Sequence, residues 1–353
     1  MALTIAESGR FFKGPCGGFL DITWRQRHIT RMVSFILIAL CLTSSTAIAT
    51  PVETSPCSVA FRVDEKDLIP EGIAHDPRTG QFFLSSINKR KVVAVSPGGK
   101  VSDFVKTGQD GVLETLGMKV DAKNRRLWVL SNEESGGRYR SAVHIFHVDT
   151  RTCLKKFALE GAAPQLLNDL VLTDDGSAYI SDTEAKKIYE VPGDLSRFER
   201  LAGSDDLLKD ANGIAISPDN ATLYVAAALG ITLVDIKTKS TRPIANVEAV
   251  GRQGIDGLVF YRDSLIAVVN GVKTIQDIHI ARYRLSPDGR EIVAASTIDK
   301  GNPKFNIPTT CVIAGGDLFV LANTSLDVYL QKRMNEEEKL QPPAVLKYVL
   351  SER

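Results

Sequence analysis

Cysteine is scarce in this chain and is spaced badly for chemistry. Five stand in 353 residues, at positions 16, 41, 57, 153 and 311, and no two form a C-x-x-C pair. A zinc ribbon and a dithiol redox motif are thereby excluded. Charge of one sign is lacking as well: 43 Lys and Arg balance 42 Asp and Glu, a formal net charge of +1. Without a basic excess, no nucleic-acid partner is expected. The G-x-S-x-G elbow, the P-loop and the dinucleotide fingerprint are missing, which weakens serine-hydrolase, nucleotide and NAD readings. Helical periodicity is sparse. What remains is ordinary globular material, 44% hydrophobic and 24% charged, so disorder, collagen and disulfide-framework classes do not apply.

Long apolar runs are absent with one exception, VSFILIALCLTSS at 33–45. Arg25, Arg27 and Arg31 precede it, and Ala47-Ile48-Ala49 follows as an A-x-A pattern. A basic flank, a short apolar run and small residues at its end describe a secretory signal peptide. The run is short for a transmembrane span. The expected division is therefore 1–49 as leader and 50–353 as a single domain, with cleavage after Ala49, no stable membrane span afterwards, and a secreted or periplasmic destination. Met32 is a second candidate for the initiating residue. The leader carries Arg10, Lys13, Arg25, Arg27 and Arg31 against Glu7 and Asp21, which leaves the remainder slightly acidic.

Compared with itself, the chain returns one pattern six times. It consists of a special residue, usually a Gly after it, a short strand, a turn, and a second apolar strand. The copies are EGIAHDPRTGQFFLSSI (71–87), LGMKVDAKNRRLWVLSN (116–132), NDLVLTDDGSAYISDT (168–183), NGIAISPDNATLYVAA (212–227), DGLVFYRDSLIAVVNG (256–271) and TTCVIAGGDLFVLAN (309–323). Turn residues such as Asp175-Gly176 and Pro218-Asp219-Asn220 make each copy a β-hairpin. Further strands, among them KVVAVSP (91–97) and ITLVDIKT (231–238), fill the intervals. Steps near 45 residues with about four strands each predict an all-β, six-bladed β-propeller. Because an open ring would expose sheet edges, SVAFRV (58–63) is expected to complete the blade that AVLKYVL (344–350) ends.

The first strand of each blade lines the central channel, so the residue at its head sits in a ring at one mouth. The heads are Glu71, Leu116, Asn168, Asn212, Asp256 and Thr309. Two carboxylates and two amide side chains, with no His or Cys, suit a hard divalent cation, calcium above all. The competing reading is a wet polar plug, since Asn and Asp before Gly also suit turns.

At these positions the chain resembles the senescence marker protein/gluconolactonase family. The motifs are Pro70-Glu71-Gly72, Leu166 to Asp169 (LLND), Ala211-Asn212-Gly213 and Ile255-Asp256-Gly257, and the resemblance spans about 57–350. It implies a calcium ion at the channel mouth with Glu71, Asn212 and Asp256 as ligands and Asn168 close to metal and substrate. It also implies hydrolysis of a small-molecule lactone or ester, with calcium polarising the carbonyl and Asp256 as general base. Leu166 stands where gluconolactonase-like members carry an Arg, and Leu116 adds a second apolar side chain. Both argue for a more apolar substrate than a sugar lactone. Asn168, Leu116, Leu166 and Thr309 are the substrate-contact candidates. Gly72 replaces a carboxylate that the related paraoxonases use for a second calcium, although Asp169 is present.

A non-catalytic ligand- or protein-binding propeller stays open as a second reading, and another enzyme class reusing the fold as a third. Trp128 and His75 read as blade packing. His144 and His147, three apart on one strand, face opposite sides. Cys57 and Cys311 fall on outer and inner strands, so no disulfide is expected between them.

Overall fold

A computed structural model describes residues 55–250, 254–272 and 274–350. The predicted leader at 1–49 lies outside the described residues. Among the described residues, six four-stranded antiparallel sheets form a ring. Blade 1 holds Ile73–Asp76, Gln81–Ser86, Lys91–Val95 and Val101–Val105. Blades 2 to 5 begin on Glu114–Asp121, Leu167–Leu172, Ile214–Ile216 and Ile255–Tyr261. Blade 6 runs outward from Cys311–Ala314 through Asp317–Asn323 and Ala344–Tyr348 to Cys57–Arg62. That last strand pairs antiparallel with Ala344–Tyr348, Cys57 opposite Tyr348, and closes the ring. Each innermost strand packs on the next, and the sixth packs on the first.

Alternation along the strands explains the core. Successive side chains point to opposite faces, so each sheet feeds two interfaces at once. Phe83 packs toward blade 2 with Phe104, Met118 and Phe146, while its neighbour Leu84 packs toward blade 6 with Leu321 and Val345. Leu127 and Val129 likewise join blade 1, whereas Trp128 and Leu130 join blade 3. Trp128 and Phe83 are fully buried, worth roughly 2–3 kcal/mol each by area. His144 is buried and stacks on Phe146, while His147 on the other face is half-buried and caps a turn at Asp149 and Thr150. His75 packs at a tilt against Phe82. The three described cysteines are unpaired.

The head–Gly pattern has a steric cause. A Cβ on Gly72 would lie 2.2 Å from the Leu116 carbonyl oxygen, and one on Gly213 would lie 2.3 Å from that of Asp256. Innermost strands thus meet backbone to backbone where the channel is narrowest. At Gly72 and Gly213 only a residue without a side chain fits.

Blade 6 departs from plain strand structure. Between its second and third strands the chain inserts a short helix, Leu326–Leu330, and a 3-10 turn, Glu337–Lys339. The charged stretch 334–343 falls in this insertion, and Glu336 pairs there with Arg333 and Lys339.

Candidate functional site

Five of the six predicted head residues, Glu71, Leu116, Asn168, Asn212 and Asp256, line one cavity of about 440 Å³ at the channel mouth, as does Leu166. Thr309 does not line it. Its side chain is buried and its hydroxyl donates to the Glu71 carbonyl at 2.9 Å, so it fixes the backbone of a neighbouring head. Ser85 fixes the same backbone from the other side, its Oγ accepting from the Gly72 amide at 2.6 Å.

The polar floor is ordered by its own hydrogen bonds. Asn168 donates from Nδ2 to Thr183 at 3.0 Å, which leaves its Oδ1 buried without a partner. Asn270 donates to Asp256 Oδ2 at 2.8 Å, and Asn212 is also bonded to that carboxylate. Asn270 follows the second strand of blade 5, Ser264–Val269, at a position where polar residues ordinarily form turns. Only the assembled blade shows that it reaches Asp256. Asp169 occupies the neck position that is Gly in four other blades. Its Oδ1 meets Lys119 Nζ at 3.1 Å and its Oδ2 accepts from the Ile214 amide at 3.4 Å. The carboxylate that a second calcium would need is thus already matched by a tethered ammonium.

Electrostatics at the floor are unbalanced. Glu71, Asp169 and Asp256 are 8%, 6% and 5% exposed, and Lys119 is the only cation paired with any of them among the described residues. Burial pushes the Glu71 carboxyl well above the usual range, Asp256 and Asp169 add to this, and Lys119 opposes it. Burial also raises Asp256, against the bonds from Asn270 and Asn212. Buried like charges of this kind need a counter-ion or must take up protons.

A void of about 10 Å³ lies among Glu71, Asn168, Asn212, Asp256, Asp169 and Lys119, about the room one water or ion requires. An oxygen-only donor set, an orphaned amide oxygen and surplus negative charge all fit a divalent hard cation. Among the described residues no three His, Cys, Asp or Glu side chains converge as a metal cluster. The candidate set is two carboxylates completed by two amides.

The chain matches the family model described as SMP-30/gluconolactonase/LRE-like region over residues 69–325. No curated protein matches it in sequence. Among solved structures it is similar to a gluconolactonase from Xanthomonas campestris, 18% identical over 86% of this chain and 97% of the other, with TM-score 0.56. A calcium-binding regucalcin from Agrobacterium tumefaciens is 16% identical over 82% and 93%, with TM-score 0.54. The PQQ-bound aldose sugar dehydrogenase from Streptomyces coelicolor is 14% identical over 85% and 100%, with TM-score 0.58. At such identities these likenesses speak to the fold alone.

Proposed function

The chain belongs to the SMP-30/gluconolactonase/LRE-like family, and from that premise we propose that it is an exported, calcium-dependent hydrolase of a small-molecule lactone or ester. One observation carries the reading: buried carboxylates and an unpartnered Asn168 oxygen surround an ion-sized void at the base of a substrate-sized cavity. Glu71, Asn212 and Asp256, with Asn168, would hold the cation, and their oxygen-only chemistry favours calcium. When bound, such an ion supplies Lewis-acid polarisation of a carbonyl.

The remaining roles fall to side chains of this chain. Asp256 takes the proton of the attacking water as general base. Asn270 holds its carboxylate in place, and burial makes it a better proton acceptor than a surface carboxylate. Water adds to the carbonyl carbon, and the proton on Asp256 then passes to the departing oxygen as the C–O bond breaks. A lactone thus yields a hydroxy acid. Asn168, held by Thr183, orients the substrate, and Leu116 and Leu166 shape its entry.

The test is a calorimetric calcium titration of the chelator-treated protein, followed by a lactone and ester screen. Expected are one site, lost in Glu71→Ala, and turnover that calcium restores and that Asp256→Ala abolishes in a folded protein. Absence of calcium binding would make the floor a polar plug and leave a non-catalytic binding propeller as the better reading.

A further inference from the structure

The cavity has two unlike sides. Besides the polar floor, the lining has an apolar wall of Ile87, Leu116, Leu166, Leu326, Tyr329 and Leu330, drawn from blades 1, 2, 3 and 6. The first five belong to one packed cluster, backed by Ile69, Ile307 and Val328, so the wall is fixed by burial behind it. The blade-6 helix Leu326–Leu330 supplies half of it. Tyr329 is clamped, its hydroxyl bonded to Glu114, which faces Arg90 at 3.6 Å. At the lip, Leu330 is 55% and Val272 is 47% exposed. Among the described residues the lining has four carboxylates, Glu71, Glu114, Asp210 and Asp256, and no Lys, Arg or His.

From this layout we infer that the wall built on helix Leu326–Leu330 is a subsite for an uncharged alkyl or acyl tail, and that the substrate is a neutral lactone or ester bearing such a tail. The inference rests on the hydrolase reading and names its substrate class. A polyhydroxylated ring laid on Ile87, Leu116, Leu166, Leu326 and Leu330 would set hydroxyls against carbon alone, and desolvating unpaired hydroxyls is costly. A tail ending in a carboxylate would meet a lining whose described residues include no Lys, Arg or His to receive it. A methylene laid against the wall leaves water, and each fully buried one is worth about fourfold in binding. The half-open lip makes about two- to fourfold per methylene the expected gain.

The test uses the calcium-loaded full protein on the aliphatic series from γ-butyrolactone to γ-dodecalactone, with glucono-δ-lactone and a carboxylate-tailed lactone beside it. Expected is a kcat/KM that climbs by about two- to fourfold per methylene before levelling, carried mainly by KM. The sugar lactone and the carboxylate-tailed analogue should fall below the long aliphatic lactones. Leu330→Glu, at an exposed position, should cut the ratio of long-chain to short-chain kcat/KM by about tenfold. Leu166→Arg should lower the same ratio from the opposite end of the wall. Hydrolysis that is flat along the series, or best on glucono-δ-lactone, would overturn the tail subsite while leaving the hydrolase reading intact. No hydrolysis of any lactone or ester with calcium present would remove the hydrolase reading, and this inference with it.

Discussion

Replacing Gly213 by Ala tests the steric argument and the site together. The new methyl carbon would stand 2.3 Å from the Asp256 carbonyl oxygen, 2.7 Å from the Leu258 nitrogen and 2.9 Å from the Gly257 carbonyl carbon. All three are backbone atoms of blade 5, so no side chain can rotate away. To restore ordinary contact, blades 4 and 5 must part by about 1 Å at the channel neck. Overpacking of this kind costs about 1–3 kcal/mol, which for a chain of this size lowers Tm by about 2–4 °C per kcal/mol. The parting also separates Asn212 from Asp256, two of the proposed ligands, and a misplacement of about 1 Å can cost a hundredfold in rate. The assay pairs thermal unfolding with calcium titration and compares Gly213→Ala with Leu233→Ala. The latter removes packing between the same two blades away from the neck and should cost about 2–5 kcal/mol. Gly213→Ala should lose calcium affinity by tenfold or more, while Leu233→Ala keeps it. An unchanged Tm, or equal calcium affinities in the two variants, would refute the reasoning.

Two further predictions concern the scaffold. His144 is buried, with Nε2 3.3 Å from the Asp110 carbonyl, and burial followed by Lys156 pushes its pKa down to about 4. Because the unfolded chain takes up this proton first, near pH 6.5, stability should fall by about 3 kcal/mol as pH drops from 6.5 toward 4, and urea midpoints of His144→Leu should lack that part of the slope. Arg125 binds buried Asp76 through two bonds of 2.8 and 2.9 Å and reaches Asp149 at 3.0 Å, tying blade 1 to blade 2. Arg125→Met strands the Asp76 carboxylate and should cost about 3 kcal/mol in urea unfolding, with Arg125→Lys intermediate because it keeps the charge and loses the fork; a neutral Arg125→Met would show that water reaches Asp76.

The ring was legible because a propeller writes its period into the sequence. Each head–Gly pair marks a place where backbones must touch, and each turn of Asp, Asn or Gly marks a hairpin. Glu71, Asn168, Asn212 and Asp256 could therefore be brought to one mouth from their register alone. Register says where a residue starts but not where its side chain turns. Thr309 shares the register of the others, yet its hydroxyl finds the Glu71 carbonyl. Ser85 lies near the end of a second strand and Asn270 just past one, and their reach to the Glu71–Gly72 backbone and to Asp256 depends on strand length and twist. The Lys119–Asp169 pair joins two blades, a relation that no single repeat contains. Helix Leu326–Leu330 is too short for a 3.6-residue period to show. The part of the site hardest to read was thus the half of its apolar wall that this helix supplies, which lies outside the repeats.

The pairing of Cys57–Arg62 with Ala344–Tyr348 also sets an order of events during synthesis. Blades 1 to 5 can each form as local hairpins while the chain emerges. The ring cannot close until its last strand exists, because the strand that waits for it was made first. Until then the inner edge of that early strand, which Ala344–Tyr348 will cover, is unpaired and open to wrong partners. The polar floor, gathered from blades 1, 3, 4 and 5, comes together only at closure. Thr309 of blade 6, whose hydroxyl fixes the Glu71 backbone, reaches it only then.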